Sequence, residues 1–341
     1  MRIVFSSAQR AHYPRTFIVS GQLRPNPEKP ERIDALLDAA TNAGHQLVEP
    51  NDHGPEPRAA VHTPEYLQFL EHIHARWSRI EGAGDEVVPN IHPNGHGAGY
   101  PASAEGQAGY HMADTACPIG SETWEAACAS ANTAVHAASL LIEDGAPAYA
   151  LCRPPGHHAF ADMAGGFCYL NNSAIAAQSL RQVHARIAIL DVDLHHGNGT
   201  QGVFYRRRDV LTVSLHADPV RFYPFFWGYA AERGEGEGLG YNLNLPLPRH
   251  SGDDDYLLAL EAALGRIRSF RPGALVVALG LDAFQGDPLA GLAVTTEGFA
   301  RIASAIAALE LPTLLVQEGG YLCDALGENL VSFLAGFDGA G

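Results

Sequence analysis

The sequence has no long hydrophobic run and few positively charged residues. Because no stretch of about 18 consecutive apolar residues occurs, a membrane-spanning helix is not predicted. Lysine and arginine together number 22 against 38 aspartates and glutamates, which gives a formal charge of −16. This excess of negative charge disfavours binding to nucleic acid or to an anionic membrane, and it favours a cationic ligand.

Cysteine is also scarce, and its spacing does not suggest a disulfide framework. The 5 cysteines include no C-x-x-C pair, and their number is odd. The opening residues, M-R-I-V-F-S, are too short for the apolar region of a secretory signal. These features predict a cytoplasmic protein whose thiols are reduced.

Hydrophobic residues make up 46% of the 341 residues, enough for a large buried core. Predicted strands and helices alternate through most of the chain, which favours a single α/β domain over residues 1–341 with a mainly parallel sheet flanked by helices. The predicted strands are 2–6, 148–152, 187–190, 210–215, 241–245, 274–280 and 313–316. The predicted helices are 30–44, 63–73 (with Thr63 as N-cap), 123–143, 172–183, 254–270 and 296–309.

Two segments lack such periodicity. Residues 8–29 are predicted to be irregular. Residues 81–122 form a long insertion rich in Gly, Pro, His and Asn, and a segment of this length is predicted to be an ordered cover that packs on something else. A second subunit is the expected support, so a homodimer is predicted.

The densest cluster of chemically active side chains lies in residues 187–200, I-A-I-L-D-V-D-L-H-H-G-N-G-T. An apolar strand there ends in Asp191, Asp193 and His195, which share one parity along an extended chain. A capped strand end with solvated charges is the alternative. Leu281 and Asp282 follow the apolar strand 274–280 and offer a third ligand. Oxygen and imidazole donors without a thiolate suit Zn²⁺ or another borderline divalent cation.

Two further loops follow strand ends. R-P-P-G-H-H-A contains His157 and His158, which would reach the carboxylates if the strands ending at 152 and 190 are neighbours. Q-E-G-G-Y contains Tyr321 after two glycines that permit a sharp turn over the site. The alternatives are two solvated loop histidines and a tyrosine that only caps the core.

Five motifs, in this order, resemble the arginase/deacetylase superfamily. They are R-P-P-G-H-H-A, G-F-C-Y-L-N-N, D-V-D-L-H-H-G-N-G-T, L-D-A-F-Q-G-D-P and E-G-G-Y. Softer motifs, E-G-Q-A-G-Y, T-W-E-A-A and G-Y-A-A-E-R-G-E-G, resemble the histone-deacetylase-like acetylpolyamine amidohydrolases of bacteria. The resemblance implies a metal-dependent amidohydrolase that removes acetyl groups from acetylated polyamines.

The resemblance also implies roles for individual residues. It assigns Asp193, His195 and Asp282 to Zn²⁺, with Fe²⁺ as the alternative, His158 to general base and acid, and Tyr321 to the oxyanion. It implies that Asp191 orients His157, and that Asn198 stands where some members carry an aspartate. Tandem histidines distinguish the sequence from the two-metal arginases. The resemblance further implies a structural K⁺ site formed by Asp191, Asp193, His195, Ser214 and Leu215.

Substrate contacts follow from the same resemblance. Phe167 and Tyr223, with Gly166 beside them, occupy the positions of the aromatic pair that grips a methylene chain. Glu105 and Asp114 lie in the insertion, where a carboxylate would attract the ammonium groups of a small cationic substrate. The alternatives are a protein acetyl-lysine deacetylase and a binding protein on an inactive scaffold, and no expected catalytic residue is missing.

Overall fold

A computed structural model describes residues 1–93, 95 and 99–339. Within these residues the strands are β1 (Arg2–Val4), β2 (Thr16–Val19), β3 (Gln22–Pro25), β4 (Gln46–Val48), β5 (Ala148–Ala150), β6 (Ile187–Asp191), β7 (Val210–Ala217), β8 (Asn242–Leu247), β9 (Ala274–Leu279) and β10 (Thr313–Gln317). An 8-stranded parallel sheet has the order β4-β1-β5-β10-β9-β6-β7-β8. The predicted fold class, a mainly parallel α/β sheet, is confirmed.

Helices cover both faces of this sheet. They are α1 (Glu31–Asn42), α2 (Glu56–Ala59), α3 (Pro64–Trp77), α4 (Ala104–His111), α5 (Thr123–Asp144), α6 (Asn172–Leu180), α7 (Asn198–Phe204), α8 (Asp253–Phe270), α9 (Thr296–Ala307) and α10 (Leu326–Asp338). Successive strand residues point to opposite faces. In β6, Ile187 and Ile189 pack with α5 and α6, whereas Ala188 and Leu190 pack with α1, α8, α9 and α10.

Most predicted elements are present with ends shifted by a few residues. The predicted cap is found, since the Thr63 hydroxyl accepts the Tyr66 N–H at the start of α3. The elements that the sequence analysis did not predict are β2, β3, β4, α2, α4, α7 and α10. All but α10 are short, and short elements have little periodicity to detect.

The prediction that residues 8–29 are irregular is wrong. A 3₁₀ helix spans Ser7–Ala11, and β2 and β3 form an antiparallel hairpin with Ser20 and Gly21 at its turn. Both turn residues have positive φ, at 50° and 74°, as a tight two-residue hairpin requires. The available signal was the run T-F-I-V at residues 16–19, in which three residues are β-branched. It was missed because both strands are largely exposed and show no apolar alternation.

The insertion, residues 81–122, is ordered mainly by its own chain. Val87 and Ile119 pair as a short β-bridge, and Ala108 and Met112 are buried in one cluster with Tyr66 and other side chains of α3. The segment therefore packs on something else, as predicted, but that support includes α3 of its own chain, so a second subunit is not needed to order it. Residues 94 and 96–98 of the insertion lie outside the described residues.

The histidine loop was predicted to reach the carboxylates if the strands ending at residues 152 and 190 are neighbours. That condition is not met. The strands β5 and β6 are not neighbours, because β10 and β9 lie between them. The later strands of a doubly wound sheet can insert between earlier ones, which the sequence does not reveal. The loop after β5 nevertheless reaches the end of β6, since His157 Nδ1 is 2.9 Å from Asp191 Oδ2.

Candidate active site

Four loops meet at the carboxyl edge of the sheet. They follow the strands β5, β10, β9 and β6, which lie side by side in that order in the sheet. They carry the histidine pair, Tyr321, Asp282, and the pair Asp193 and His195. Parallel strands end at the same edge, so residues that are distant in sequence come together there.

Asp193, His195 and Asp282 form a buried group of three metal-ligand side chains. Their donor atoms lie within 4.8 Å of one another, and His195 Nδ1 is 3.1 Å from Asp282 Oδ2 and 3.3 Å from Asp193 Oδ1. Backbone N–H groups hold both carboxylates, because Leu194 donates to Asp282 and Gly319 donates to Asp193. Two carboxylates and one imidazole suit a divalent cation that keeps a position open for substrate.

Glycines allow the backbone to close around this group. A Cβ atom at Gly280 would lie 2.2 Å from Asp193 Oδ2, and one at Gly319 would lie 2.4 Å from Asp282 Oδ2. Any larger residue at either position would displace a carboxylate. The donor set and the close approach of the backbone therefore fit a divalent cation at this group.

The three side chains of this group shift one another's pKa values. Burial alone would lower the pKa of His195, but its hydrogen bonds to Asp193 and Asp282 raise that pKa to about 9. Burial and the charge of Asp193 raise the pKa of Asp282 to about 6. A proton on His195 thus balances the two carboxylates. Binding of a divalent cation needs a neutral imidazole, so it must release this proton.

The histidine pair has two different partners. Burial alone would lower the pKa of His157, but the charges of Asp193 and Asp191 and the hydrogen bond to Asp191 raise that pKa well above its ordinary value. Burial, together with the charges of His157 and His195, lowers the pKa of His158 well below its ordinary value. His158 Nδ1 is 2.7 Å from Asn198 Oδ1, an acceptor, so the proton lies on Nδ1 and Nε2 is left to accept another.

Glu318 explains how the histidine loop reaches across the sheet. This buried carboxylate follows β10, and it accepts the backbone N–H groups of Gly156 at 2.6 Å and His157 at 3.0 Å. It also accepts the Ser173 hydroxyl at 2.7 Å. Burial raises the pKa of Glu318 to about 7, although the charge of His157 opposes that shift. The loop is therefore fixed to the neighbouring strand end.

Tyr321 is buried, and both its backbone N–H and its ring contact charged side chains. Its N–H donates to Asp287 Oδ2 at 2.8 Å, and the Arg32 guanidinium lies 4.7 Å from the ring centroid. Burial raises the pKa of Tyr321 well above its ordinary value, and the charges of Asp282 and Asp193 raise it further. The phenol therefore stays protonated and can donate a hydrogen bond beside the ligand group.

Sequence reasoning missed a buried ion cluster behind Tyr321. Arg32 donates to the carbonyl oxygens of Gly320 at 2.6 Å and Glu318 at 2.8 Å, and to Glu28 at 2.7 Å. Arg153 donates to both oxygens of Glu28, at 2.8 and 3.0 Å. The i,i+4 spacing of Glu28 and Arg32 was the available signal. Arg153, Asp287 and Glu318 stand inside motifs that the sequence analysis quoted without giving these residues roles.

Known proteins resemble this chain along nearly its whole length. The sequence profile of the histone deacetylase domain matches residues 26–337. The acetylpolyamine amidohydrolase of Burkholderia pseudomallei is 51% identical over 99% of this chain and 98% of that protein. Acetylpolyamine amidohydrolase 1 of Pseudomonas aeruginosa is 44% identical over 100% and 99%.

The chain belongs to the histone deacetylase family. A crystal structure of the Burkholderia pseudomallei acetylpolyamine aminohydrolase superposes with a TM-score of 0.97 at 49% identity, over 100% of this chain and 99% of that one. Histone deacetylase 8 of Xenopus laevis is 34% identical over 81% of this chain and 78% of that protein. The predicted enzyme class, a deacetylase that hydrolyses linear amides, is confirmed.

Two aromatic rings of this deacetylase lie next to Tyr321 and His158. Phe167 meets Tyr321 edge to face, with ring centroids 5.7 Å apart. Tyr223 meets His158 in the same way at 4.9 Å. Gly166 lies between these positions with a φ of +50°, and a Cβ atom there would come within 2.4 Å of His158 Cδ2. The predicted wall residues therefore border the histidine pair and Tyr321.

The other predicted residues are less directly connected to the deacetylase site. Glu105 lies in the first turn of α4, and within the described part of the chain no hydrogen bond or ion pair joins it to the ligand group, the histidine pair or Tyr321. Ser214 lies beside Asp191, because β6 and β7 pair in that register. Among the helices of residues 1–93 and 99–339, none is long and apolar enough to cross a membrane.

Proposed function

We propose that this deacetylase removes acetyl groups from N-acetylated polyamines, giving acetate and a free amine, with Zn²⁺ held by Asp193, His195 and Asp282. Fe²⁺ is the alternative cation. The observation that carries the reaction type is the buried ligand group with an acceptor nitrogen, His158 Nε2, and a protonated phenol, Tyr321, beside it. The substrate class is supported by relatives named acetylpolyamine amidohydrolase that match over their whole length.

Each catalytic side chain has a role that its surroundings support. A bound Zn²⁺ would polarise the acetyl carbonyl and make water more acidic. His158 would take a proton from the attacking water and return one to the leaving amine. His157, kept protonated by Asp191, would add positive charge near the developing oxyanion. Tyr321 would donate its O–H to that oxyanion, a contribution of about 3 kcal/mol for one such donor.

The substrate would enter as a slender cationic chain. The rings of Phe167 and Tyr223 would contact its methylene groups, and Gly166 would leave room beside His158 for the acetamide. Glu105 in the insertion would attract the distal ammonium group at long range, assisted by the net charge of −16. We place this reaction in the cytoplasm, since five cysteines without a disulfide fit a reducing compartment.

A structural K⁺ ion is proposed beside Asp191. The His216 Nε2 lies 2.8 Å from a backbone carbonyl, to which it donates, so His216 Nδ1 accepts the hydroxyl of Ser214 at 2.8 Å. The lone pairs of Ser214 Oγ then remain available to a cation. The proposed oxygen ligands come from Asp191, Asp193, His195, Ser214 and Leu215.

The substrate class is tested with purified, metal-loaded protein. Acetylputrescine or acetylspermidine should be hydrolysed with a kcat/KM at least about tenfold above that of an acetyl-lysine peptide. The Tyr321→Phe variant should lose about two to three orders of magnitude in kcat with little change in KM, and it serves as the inactive reference. A preference for the peptide would instead assign a protein lysine deacetylase.

The same assay tests the long-range role of Glu105. Glu105→Gln should raise KM for acetylspermidine more than KM for a neutral N-alkyl acetamide, and added salt should reduce the difference. Asp85→Asn, which removes a charge from the same insertion at an exposed position, is the matched control. If KM changes equally in both variants, the effect comes from net charge in general and not from Glu105.

The pH dependence of kcat/KM follows from the different hydrogen-bond partners of His157 and His158. His158 is an active base only above its lowered pKa, so kcat/KM should fall as pH drops through that value. Asn198→Asp adds a carboxylate beside His158 and should move this acidic limb upward by about one pH unit. Asn198→Ala removes the hydrogen bond without adding charge and should not move it upward. His158→Ala should lose more activity than His157→Ala, and equal losses with an unmoved limb would contradict the assignment.

We propose a homodimer on the face that carries the site. The hairpin of β2 and β3 contacts the insertion, because Ile18 N–H donates to Thr115, and it presents Leu23 with 68% of its surface exposed. Phe226, near Tyr223 in sequence, is 84% exposed. Large exposed apolar side chains favour association with another chain.

Sedimentation measures this association. Phe226→Glu should convert a dimer into a monomer, because burying the new carboxylate at the interface is unfavourable. Leu258→Glu, an equally drastic change at another exposed position, should leave the dimer intact. A wild-type monomer, or dissociation in both variants, would refute an interface at Phe226.

A further inference from the structure

Asp114, in the insertion, joins two segments that border the active site. Its Oδ2 accepts the Tyr223 phenol at 2.7 Å, and its two oxygens lie 3.2 and 3.4 Å from the Gly166 N–H. Its Oδ1 also accepts the Ala116 N–H at 2.8 Å. Both oxygens of Asp114 are therefore engaged within the protein, rather than presented to a ligand.

The two joined segments leave little space between them. A Cβ atom at Gly166 would lie 2.8 Å from the Tyr223 hydroxyl and 2.4 Å from His158 Cδ2. The Tyr223 ring centroid is 4.9 Å from that of His158 and 6.0 Å from that of His195. A small displacement of Tyr223 would therefore change the passage next to the reacting amide.

Tyr223 depends on Asp114 for its fixed position. Its loop, residues 222–229, includes exposed residues, and Phe225 in it has a φ of +60°. The phenol of Tyr223 has a carboxylate partner, and such a charge-assisted hydrogen bond is stronger than a neutral one. Asp114 is in turn fixed by the insertion, whose neighbouring Cys117 is fully buried.

We propose that Asp114 is a positioning residue that ties Tyr223 to the Gly166 turn and so sets the width of the passage for the amine chain. The inference deepens the proposed function and rests on it. Acetylated amines with a linear chain would pass, whereas those branched at the carbon next to the acetamide nitrogen would be rejected by the fixed ring. The insertion thus controls selectivity through one hydrogen bond inside the site wall.

A competing role for Asp114 is direct attraction of the substrate's ammonium group. The two roles predict different effects of Tyr223→Phe, which keeps the ring and the charge of Asp114 but removes the hydrogen bond. A tether requires Tyr223→Phe and Asp114→Asn to have the same effect on selectivity. If Asp114 instead attracts the ammonium group, only Asp114→Asn should change the kinetics, and the change should be confined to KM for charged substrates.

The test compares acetylputrescine with its analogue carrying a methyl branch next to the acetamide nitrogen. The ratio of their kcat/KM values should fall by about fivefold or more in Tyr223→Phe, in Asp114→Asn and in the double variant alike. Tyr229→Phe, which removes another phenol hydrogen bond from the same loop, should leave the ratio unchanged. An unchanged ratio in Tyr223→Phe, or additive losses in the double variant, would overturn the proposal.

A second readout does not depend on the substrate. The denaturant midpoint of unfolding should fall in each single variant. In the double variant it should fall no further than in Asp114→Asn, because that variant already weakens the bond to Tyr223 together with those to Gly166 and Ala116. If the wild type does not hydrolyse acetylputrescine, the proposed function fails, while the midpoints still report on the tether. Midpoint losses that add would show that Asp114 and Tyr223 act separately.

Discussion

The burial of charge at one edge of the sheet is the constraint on which the site depends. Asp193 and Asp282 are fully enclosed, and an unpaired carboxylate in such surroundings would be strongly destabilising. Backbone N–H groups of Leu194 and Gly319 supply part of the compensation, and glycines let the chain approach closely enough to do so. A bound divalent cation would supply the remainder. Stability of the fold and affinity for the cation are therefore expected to rise together.

A second buried charge cluster connects the amino-terminal part of the chain to the turn that carries Tyr321. Glu28 accepts hydrogen bonds from both Arg32 and Arg153, and Arg32 donates to two carbonyl oxygens of the turn before Tyr321. Burial alone would raise the pKa of Glu28, but the charges of Arg153 and Arg32 hold it below its ordinary value. The carboxylate therefore remains charged, and both arginines keep their partner. The turn that carries Tyr321 is therefore fixed by a buried, charged network.

The sequence predicted the local parts of this site better than the contacts that assemble it. Asp191, Asp193 and His195 follow one buried strand, so their proximity could be inferred from strand periodicity alone. The histidine pair was predicted to reach the carboxylates on condition that their strands are neighbours, and that condition is not met, because β10 and β9 separate the strands. Glu318 fixes the histidine loop by accepting the N–H groups of Gly156 and His157, and this role depends on the order of the strands. The bonds from Arg32 to Gly320 and from Tyr223 to Asp114 join distant parts of the chain, and no local pattern encodes such pairings.

The most direct measurement is acetate release from acetylputrescine as metal-free protein is titrated with Zn²⁺ and its metal content is determined. The proposed centre predicts negligible turnover without metal and a linear rise that saturates at one equivalent per chain, with a proton released on binding. Asp282→Asn should bind the cation far more weakly and remain inactive, because it loses one of three ligands. Full turnover by the metal-free protein, or wild-type turnover by Asp282→Asn, would contradict a catalytic metal centre at Asp193, His195 and Asp282.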